Sequence, residues 1–130
     1  MATVNNTLTL SSTDLTSDSI SLSILNTITS ATQGGISRLK LATTSAGSAT
    51  IVAPSAKFTE GAKVWLYNPS TVTGGNERIY VALDAATGQI QLNSGDWAVV
   101  PWKGGTRSTP TNITAWGEVA DNVLEFGVFQ

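Results

Sequence analysis

Ser19-Ile20-Ser21-Leu22-Ser23-Ile24 is the stretch that decides the fold class of this chain. Its aliphatic side chains alternate strictly with hydroxyls, so a β-strand places the two kinds on opposite faces. A helix, with about 3.6 residues per turn, cannot separate them in this way. The stretch therefore predicts a half-buried strand.

The same alternation recurs through the rest of the chain. Glycine pairs and asparagine turns separate the alternating runs at roughly the 8–12-residue spacing that is typical of sandwiches and barrels. From this pattern we expect an all-β protein, either an antiparallel β-sandwich or a jelly-roll-like barrel, with about 8–10 short strands. The further alternating runs are residues 38–41, 63–67, 78–83, 89–92 and 124–129.

Residues 1 to about 32 differ in composition from the rest of the 130-residue chain. They contain no aromatic and no basic residue, whereas all nine aromatic residues lie from Phe58 onward. A chain of this length fits one domain. We expect a single β domain over residues 1–130, with residues 1–18 as a candidate N-terminal arm and residues 19–130 as the sandwich body. The first segment fits two roles, an outer strand pair of the domain or an arm that pairs with a neighbouring subunit.

The sequence contains no histidine and no cysteine. This removes the commonest metal ligand, the usual proton shuttle near neutral pH and the thiolate nucleophile. We therefore predict a non-enzymatic protein with no catalytic residues, no cofactor and no metal. Only 12% of the residues are charged, which is about half the usual share, so the surface is suited to being covered by another chain.

The charged residues also bear on the class of partner. The formal net charge is −2, and the seven lysines and arginines are scattered along the sequence. Because nucleic-acid binding depends on clustered basic residues, we predict no nucleic-acid partner. The first residues lack the basic and apolar regions of a signal peptide, and no window approaches the roughly 18 apolar residues of a membrane span. The sequence thus predicts no secretion signal and no membrane partner.

Glycoside hydrolysis is the enzymatic alternative, because it needs only two carboxylates and no histidine. Asp84 and Asp96 lie at strand-to-turn positions, where aspartate accepts backbone hydrogen bonds, and Glu125 alternates with apolar residues. These positions favour structural roles. A calcium site at residues 14–18 lacks the loop glycine and the bidentate glutamate of such sites. The carboxylates considered for hydrolysis are Asp84, Asp96, Glu118, Asp121 and Glu125.

The four tryptophans are the remaining candidates for a functional surface. Burial of large aromatic side chains stabilises a β domain without disulfides, so we expect Trp97 and Trp116 in the core. Trp65 and Tyr67 share one face of a strand, and Trp102 stands beside the glycine-rich residues 103–105, so we expect these three to be partly exposed. Exposed tryptophan and tyrosine side chains favour protein contact over sugar contact. The candidate interface residues are Trp65, Tyr67 and Trp102 in the body and Leu8 and Leu10 in the arm.

Four segments carry a resemblance to a known group of proteins. They are Tyr67-Asn68-Pro69-Ser70, Glu77-Arg78-Ile79-Tyr80-Val81, Leu92-Asn93-Ser94-Gly95-Asp96-Trp97-Ala98-Val99-Val100-Pro101-Trp102 and Leu124-Glu125-Phe126. A strand ending in an asparagine turn, an Ile-Tyr-Val strand, a Gly-Asp-Trp to Pro-Trp corner and a closing strand follow in this order. Over about residues 62–130 the sequence resembles small β-sandwich structural proteins of tailed bacteriophages, which include head decoration (cement) proteins and tail or fibre components.

The resemblance implies a non-enzymatic virion protein, often trimeric, that binds and stabilises the phage head shell. Such a protein clamps capsid subunits through its sandwich and an extended N-terminal segment. The expected partners are the major capsid protein or other virion proteins and further copies of the chain itself. The expected location is the virion, assembled in the host cytoplasm. Two alternatives stay open, a tail or fibre structural component and a carbohydrate-binding receptor module.

Overall fold

Strands make up most of the structure. It is a computed structural model and describes residues 2–14, 19–31, 35–42, 44–58, 61–72, 76–83, 88, 90–103 and 111–130. Two short 3-10 helices stand at Ala46–Ser48 and Ser55–Lys57. No helix within these ranges is long and apolar enough to cross a bilayer. The strands are β1 (Ala2–Ser12), β2 (Ile20–Ala31), β3 (Ile36–Lys40), β4 (Thr50–Ala53), β5 (Ala62–Tyr67), β6 (Ile79–Ala82), β7 (Ile90–Leu92), β8 (Trp97–Trp102), β9 (Ile113–Gly117) and β10 (Val123–Phe129).

The contacts within the chain define two compact units, Met1–Thr32 and Gln33–Gln130. In the first unit β1 pairs antiparallel with β2 in a two-stranded sheet. The sequence prediction drew the boundary between arm and body after residue 18, whereas the contacts group residues on both sides of that boundary in one hairpin. The role of this segment as an arm stays a prediction.

The stretch at residues 19–24 forms the start of β2, so the strand prediction is confirmed. Its register with β1 pairs Ile24 with Leu8 and Leu22 with Leu10, which places the aliphatic side chains on one face and the hydroxyls on the other. The prediction that this strand is half-buried is wrong, because residues 21–27 are exposed. Alternation sorts side chains between two faces, but a two-stranded sheet has no second layer of its own to cover either face.

The second unit contains two four-stranded antiparallel sheets. The first sheet has the strand order β3-β10-β5-β8, and the second has the order β4-β9-β6-β7. Both sheets end in edge strands, so the described residues form no closed barrel. The prediction of an all-β antiparallel sandwich is confirmed.

The strand order of the two sheets is that of a jelly roll. If the eight strands of the second unit are counted from β3, the first sheet runs 1-8-3-6 and the second runs 2-7-4-5. A jelly roll winds two Greek keys into two facing sheets in this way. Of the two forms expected from the sequence, a sandwich or a jelly-roll-like barrel, the described strands form the sandwich.

The core of the second unit combines side chains from both sheets. Val64 and Leu66 of β5 belong to one buried cluster with Ile79 and Val81 of β6, and none of the four is accessible to solvent. Aliphatic side chains dominate this cluster, in which Trp102 is the one aromatic member among the described residues. Leu41, Val52 and Ala53 of this cluster precede the first aromatic residue, Phe58, and most aromatic rings lie outside the cluster.

Asn68 connects three segments at one end of the sandwich. The residue is buried, and its side-chain amide donates hydrogen bonds to the carbonyl oxygens of Glu77 at 2.8 Å and Leu92 at 3.1 Å. Its backbone also exchanges hydrogen bonds with the turn before β8, through Asp96 and Gly95. Because buried backbone carbonyls need donors, this one side chain holds the ends of β5 and β7 and the start of β6 together.

Candidate functional site

The outer side of the first sheet carries a continuous aromatic and aliphatic surface. Alternate residues of β5 point away from the core, among them Trp65 and Tyr67. The register of β5 with β8 pairs Trp65 with Val99 and Tyr67 with Trp97. Paired residues of antiparallel strands project to the same side of a sheet. We call this surface the aromatic face; it comprises Lys63, Trp65, Tyr67, Trp97, Val99 and Pro101.

Ring contacts organise the aromatic face. The rings of Trp65 and Tyr67 stack with their centroids 6.0 Å apart and an interplanar angle of 26°. Trp97, opposite Tyr67, exposes 55% of its surface. These side chains stand on paired strands, so the sheet holds them in a fixed arrangement before any partner arrives. Such preorganisation reduces the entropy that binding costs.

The aromatic face continues onto the neighbouring strand β10 at the position of Gly127. It is opposite Trp65, and a Cβ atom at this position would lie 2.9 Å from the ring of Phe129 and 3.1 Å from the carbonyl oxygen of Gly35. The ring of Phe129 therefore occupies the space that a side chain at position 127 would take. Any larger residue would displace this ring from the surface.

An ion pair borders the aromatic face on the side of β3. Arg38 of β3 is paired with Glu125 of β10, which is in turn paired with Tyr67. The Arg38 guanidinium donates to Glu125 Oε1, with contacts of 2.5 Å from Nη2 and 2.6 Å from Nε. One row across the sheet thus passes from a charged pair to a tyrosine and then to an exposed tryptophan.

The burial of Trp97 and of Trp102 is the reverse of the sequence prediction. Trp97, expected in the core, is 55% exposed, and Trp102, expected to be partly exposed, is 8% exposed. The Trp102 ring packs on Phe58 at a centroid distance of 5.8 Å, and the small side chain of Ala62 is its partner across the strands. Residues five apart in a strand face opposite ways, so the sequence separated the two tryptophans correctly but assigned each to the wrong side.

Trp116, also expected in the core, lies outside the buried cluster. It is half-buried in β9 and stacks on Tyr80 of the neighbouring strand, with ring centroids 5.7 Å apart. A Cβ atom on Gly88 would lie 2.9 Å from both side chains. The backbone of residue 88 therefore lies directly against this aromatic pair of the second sheet.

The five candidate interface residues do not form one site. Trp65 and Tyr67 lie together on the aromatic face, while Trp102 points into the core. Leu8 and Leu10 belong to the β1–β2 hairpin of the other unit, where both are exposed. The sequence missed Trp97 and Val99. The alternation of β8 groups both residues with Pro101 on one side of the strand, but it does not say which side faces outward.

The described carboxylates make structural contacts. Asp96 accepts hydrogen bonds from the backbone and side-chain nitrogens of Asn93, both at 2.8 Å, and so closes the turn before β8. Glu118 pairs with Arg78 at 3.2 Å, and Asp121 pairs with Lys40 at 3.1 Å. Asp84 lies outside the described residues.

The segment considered for calcium is described only in part. Asp14 accepts a hydrogen bond from the hydroxyl of Ser12 at 3.0 Å. Residues 15–18 lie outside the described part of the chain. Within the described part, no three acidic side chains come together in a group that could hold a metal ion.

Comparison with known proteins finds no relative of this chain. No protein-family model, no curated protein and no solved structure matches it.

Proposed function

We propose that this chain is a non-enzymatic structural protein of a virion, and that it acts as a capsid decoration protein that stabilises the head shell. The observation that carries the proposal is the aromatic face, where a sheet presents Trp97, Val99 and the Trp65–Tyr67 pair to solvent. Exposed apolar patches of this kind mark protein-binding surfaces, and tryptophan and tyrosine are frequent among the residues that dominate binding. The major capsid protein is the proposed partner. A tail or fibre component is the alternative within the same class.

The area of the outer side of the first sheet can be compared with the area that a stable complex buries on each partner. Four strands about 4.8 Å apart and about five residues long, at about 3.4 Å per residue, cover roughly 19 by 17 Å, or about 320 Å². A stable complex buries about 800 Å² on each partner. The aromatic face is therefore suited to be the central anchor of a larger contact, with the surrounding low-charge surface at its rim.

Fold and composition agree with this role. Jelly rolls occur in viral capsid proteins and in lectin domains, although a fold alone does not determine a function. The absence of histidine and cysteine, together with the ion pairs of Glu118, Asp121 and Glu125, favours binding over catalysis.

Carbohydrate binding is the second candidate function. It is favoured by the row in which the Arg38–Glu125 ion pair lies beside Tyr67 and Trp97. Ligand sites combine aromatic surface with a few well-placed polar groups that fix the orientation of the ligand. A sugar ring stacked on Trp97 would have such groups within the same sheet.

The test uses capsid shells assembled from the major capsid protein of the virus that encodes this chain. We expect the wild-type protein to cosediment with the shells and to raise the temperature at which they disrupt. Trp97→Ala should weaken binding about 30-fold, the effect of about 2 kcal/mol at a central interface residue. Ile51→Ala is the matched control, because Ile51 is 54% exposed but belongs to the second sheet.

Two outcomes would contradict the proposal. Shells whose stability the wild-type protein leaves unchanged would exclude the decoration role. Equal losses of binding for Trp97→Ala and Ile51→Ala would exclude the aromatic face as the anchor. A glycan array tests the second candidate: a hit that Trp97→Ala abolishes, in a protein that does not bind shells, would replace the first function with the second.

A further inference from the structure

The outer side of the first sheet carries more basic than acidic residues. Besides Lys63 of the aromatic face, it includes Arg38 of β3 and Lys40, which follows two residues later on the same side of that strand. Three of the seven basic residues of the chain therefore lie on one side of one sheet, although they are scattered in the sequence. Glu125 is the one acidic residue at the strand positions of this side within the described part of the chain.

The Arg38–Glu125 ion pair presents its cationic end to solvent. The Arg38 side chain is 75% exposed, whereas the Glu125 side chain is 16% exposed. The second pair, between Lys40 and Asp121 at the border of the sheet, is balanced, with side-chain exposures of 65% and 67%. A partner that covers this side therefore meets the Arg38 guanidinium before the Glu125 carboxylate. The surface that it meets is cationic as well as aromatic.

Lys63 lies within the sheet and not at its edge. The register places it between Pro101 of β8 and Phe129 of β10, and Trp65 follows it on the same side of β5. Within the described part of the chain, Lys63 makes no ion pair. A partner that covers the aromatic face removes water from the Lys63 ammonium group, and a buried charge without a counter-charge is costly. A carboxylate of the partner at this position would offset that cost.

Two classes of ligand combine negative charge with flat apolar groups, namely acidic protein segments and single-stranded nucleic acid. The chain has a net charge of −2, and Glu125 and Asp121 lie among or beside the basic residues. The electrostatic field around the sheet is therefore too weakly positive to hold a polyanion. A protein surface can place a few carboxylates around an apolar centre, which matches the small excess of basic residues around the aromatic face. This arrangement favours an acidic protein segment.

We propose that the outer side of the first sheet binds an acidic and apolar segment of the partner protein, whose apolar side chains cover Trp65 and Trp97 and whose carboxylate pairs with Lys63. The inference rests on the proposed function, because it specifies the chemistry of the partner at the same face. Aromatic rings hold apolar segments of any charge. The basic residues beside them select the acidic ones, because a basic segment would bring like charges together.

Two matched peptides, Glu-Phe-Glu-Leu-Glu and Lys-Phe-Lys-Leu-Lys, test the proposal on the full chain without shells. Tryptophan fluorescence follows their binding, because Trp97 is 55% exposed on this side. At about 10 mM salt the acidic peptide should bind at least about fivefold more tightly, and the difference should disappear at about 1 M salt, where charges are screened.

Lys63→Glu should abolish the preference for the acidic peptide. Lys57→Glu is the matched control, because it makes the same change in net charge at an exposed lysine outside the first sheet, and it should keep the preference. Far-UV circular dichroism checks that both variants keep their strands. In the shell assay at low salt, Lys63→Glu should weaken cosedimentation at least about fivefold and Lys57→Glu should leave it unchanged.

Equal binding of the two peptides, or no binding of the acidic one, would overturn the proposal. Tighter binding of an oligothymidylate than of the acidic peptide would also overturn it, in favour of single-stranded nucleic acid. A preference for the acidic peptide in a chain that leaves shells unchanged would support the inference and exclude the decoration role. Binding to shells that Trp97→Ala weakens and Lys63→Glu leaves unchanged would do the reverse.

Discussion

Trp97 and Trp102 lie at the two ends of β8. The stability of variants at these two positions tests which side of the first sheet faces the core. Trp102 is 8% exposed, and Trp97 is 55% exposed. With about 200 Å² for a fully buried aromatic side chain and about 25 cal/mol per Å², burial contributes about 4–5 kcal/mol at Trp102 and about 2 kcal/mol at Trp97. We therefore expect Trp102→Ala to lower the free energy of unfolding by about 4–5 kcal/mol, and Trp97→Ala by no more than about 2 kcal/mol.

Urea denaturation followed by tryptophan fluorescence measures both variants, because each keeps three of the four tryptophans. For m-values of about 1–3 kcal/mol per M, the midpoint of Trp102→Ala should fall by at least about 1.5 M, and that of Trp97→Ala by less than half as much. Binding to shells should show the reverse order, with Trp97→Ala folded but weakly bound. Equal losses of stability, or a larger loss for Trp97→Ala, would refute the orientation of β8.

Two further predictions concern single side chains at turns. Asn68→Ala removes the amide that donates hydrogen bonds to the carbonyl groups of Glu77 and Leu92. This variant should lower the free energy of unfolding by about 2–4 kcal/mol in the same assay. Asn93 is exposed, so Asn93→Ala should lower it by less than about 1 kcal/mol. Asp121 has a φ of 71°, so Asp121→Val should lower the free energy of unfolding by about 1–2 kcal/mol. Asp121→Gly should change it by no more than about 0.5 kcal/mol, although this variant removes the exposed ion pair with Lys40. Equal losses for the two variants at position 121 would contradict the role of the backbone conformation.

The strands were predictable because alternation is a local property. The run at residues 63–67 lies in β5, and the run at residues 124–129 lies in β10. In each case neighbouring side chains of opposite polarity identify an extended backbone without knowledge of its partner. The shared face of Trp65 and Tyr67 follows from the same rule, and the register confirms it.

The inward side of β8 was not predictable in the same way. Ala98, Val100 and Trp102 form one side, and Trp97, Val99 and Pro101 form the other, so both sides are largely apolar. Polarity therefore does not distinguish them. The choice depends on the pairing with β5, where Ala62 leaves room for the Trp102 ring beside Phe58.

The sequence by itself determined the fold class, most strands and the uncharged, hydroxyl-rich character of the first 32 residues, since these depend on composition and on spacing between near neighbours. Only the tertiary structure decided the jelly-roll order, the pairing of β1 with β2 and which of Trp97 and Trp102 is buried. These features depend on which distant strands meet and in which register. A shift of one residue turns every side chain to the opposite face without changing the local pattern.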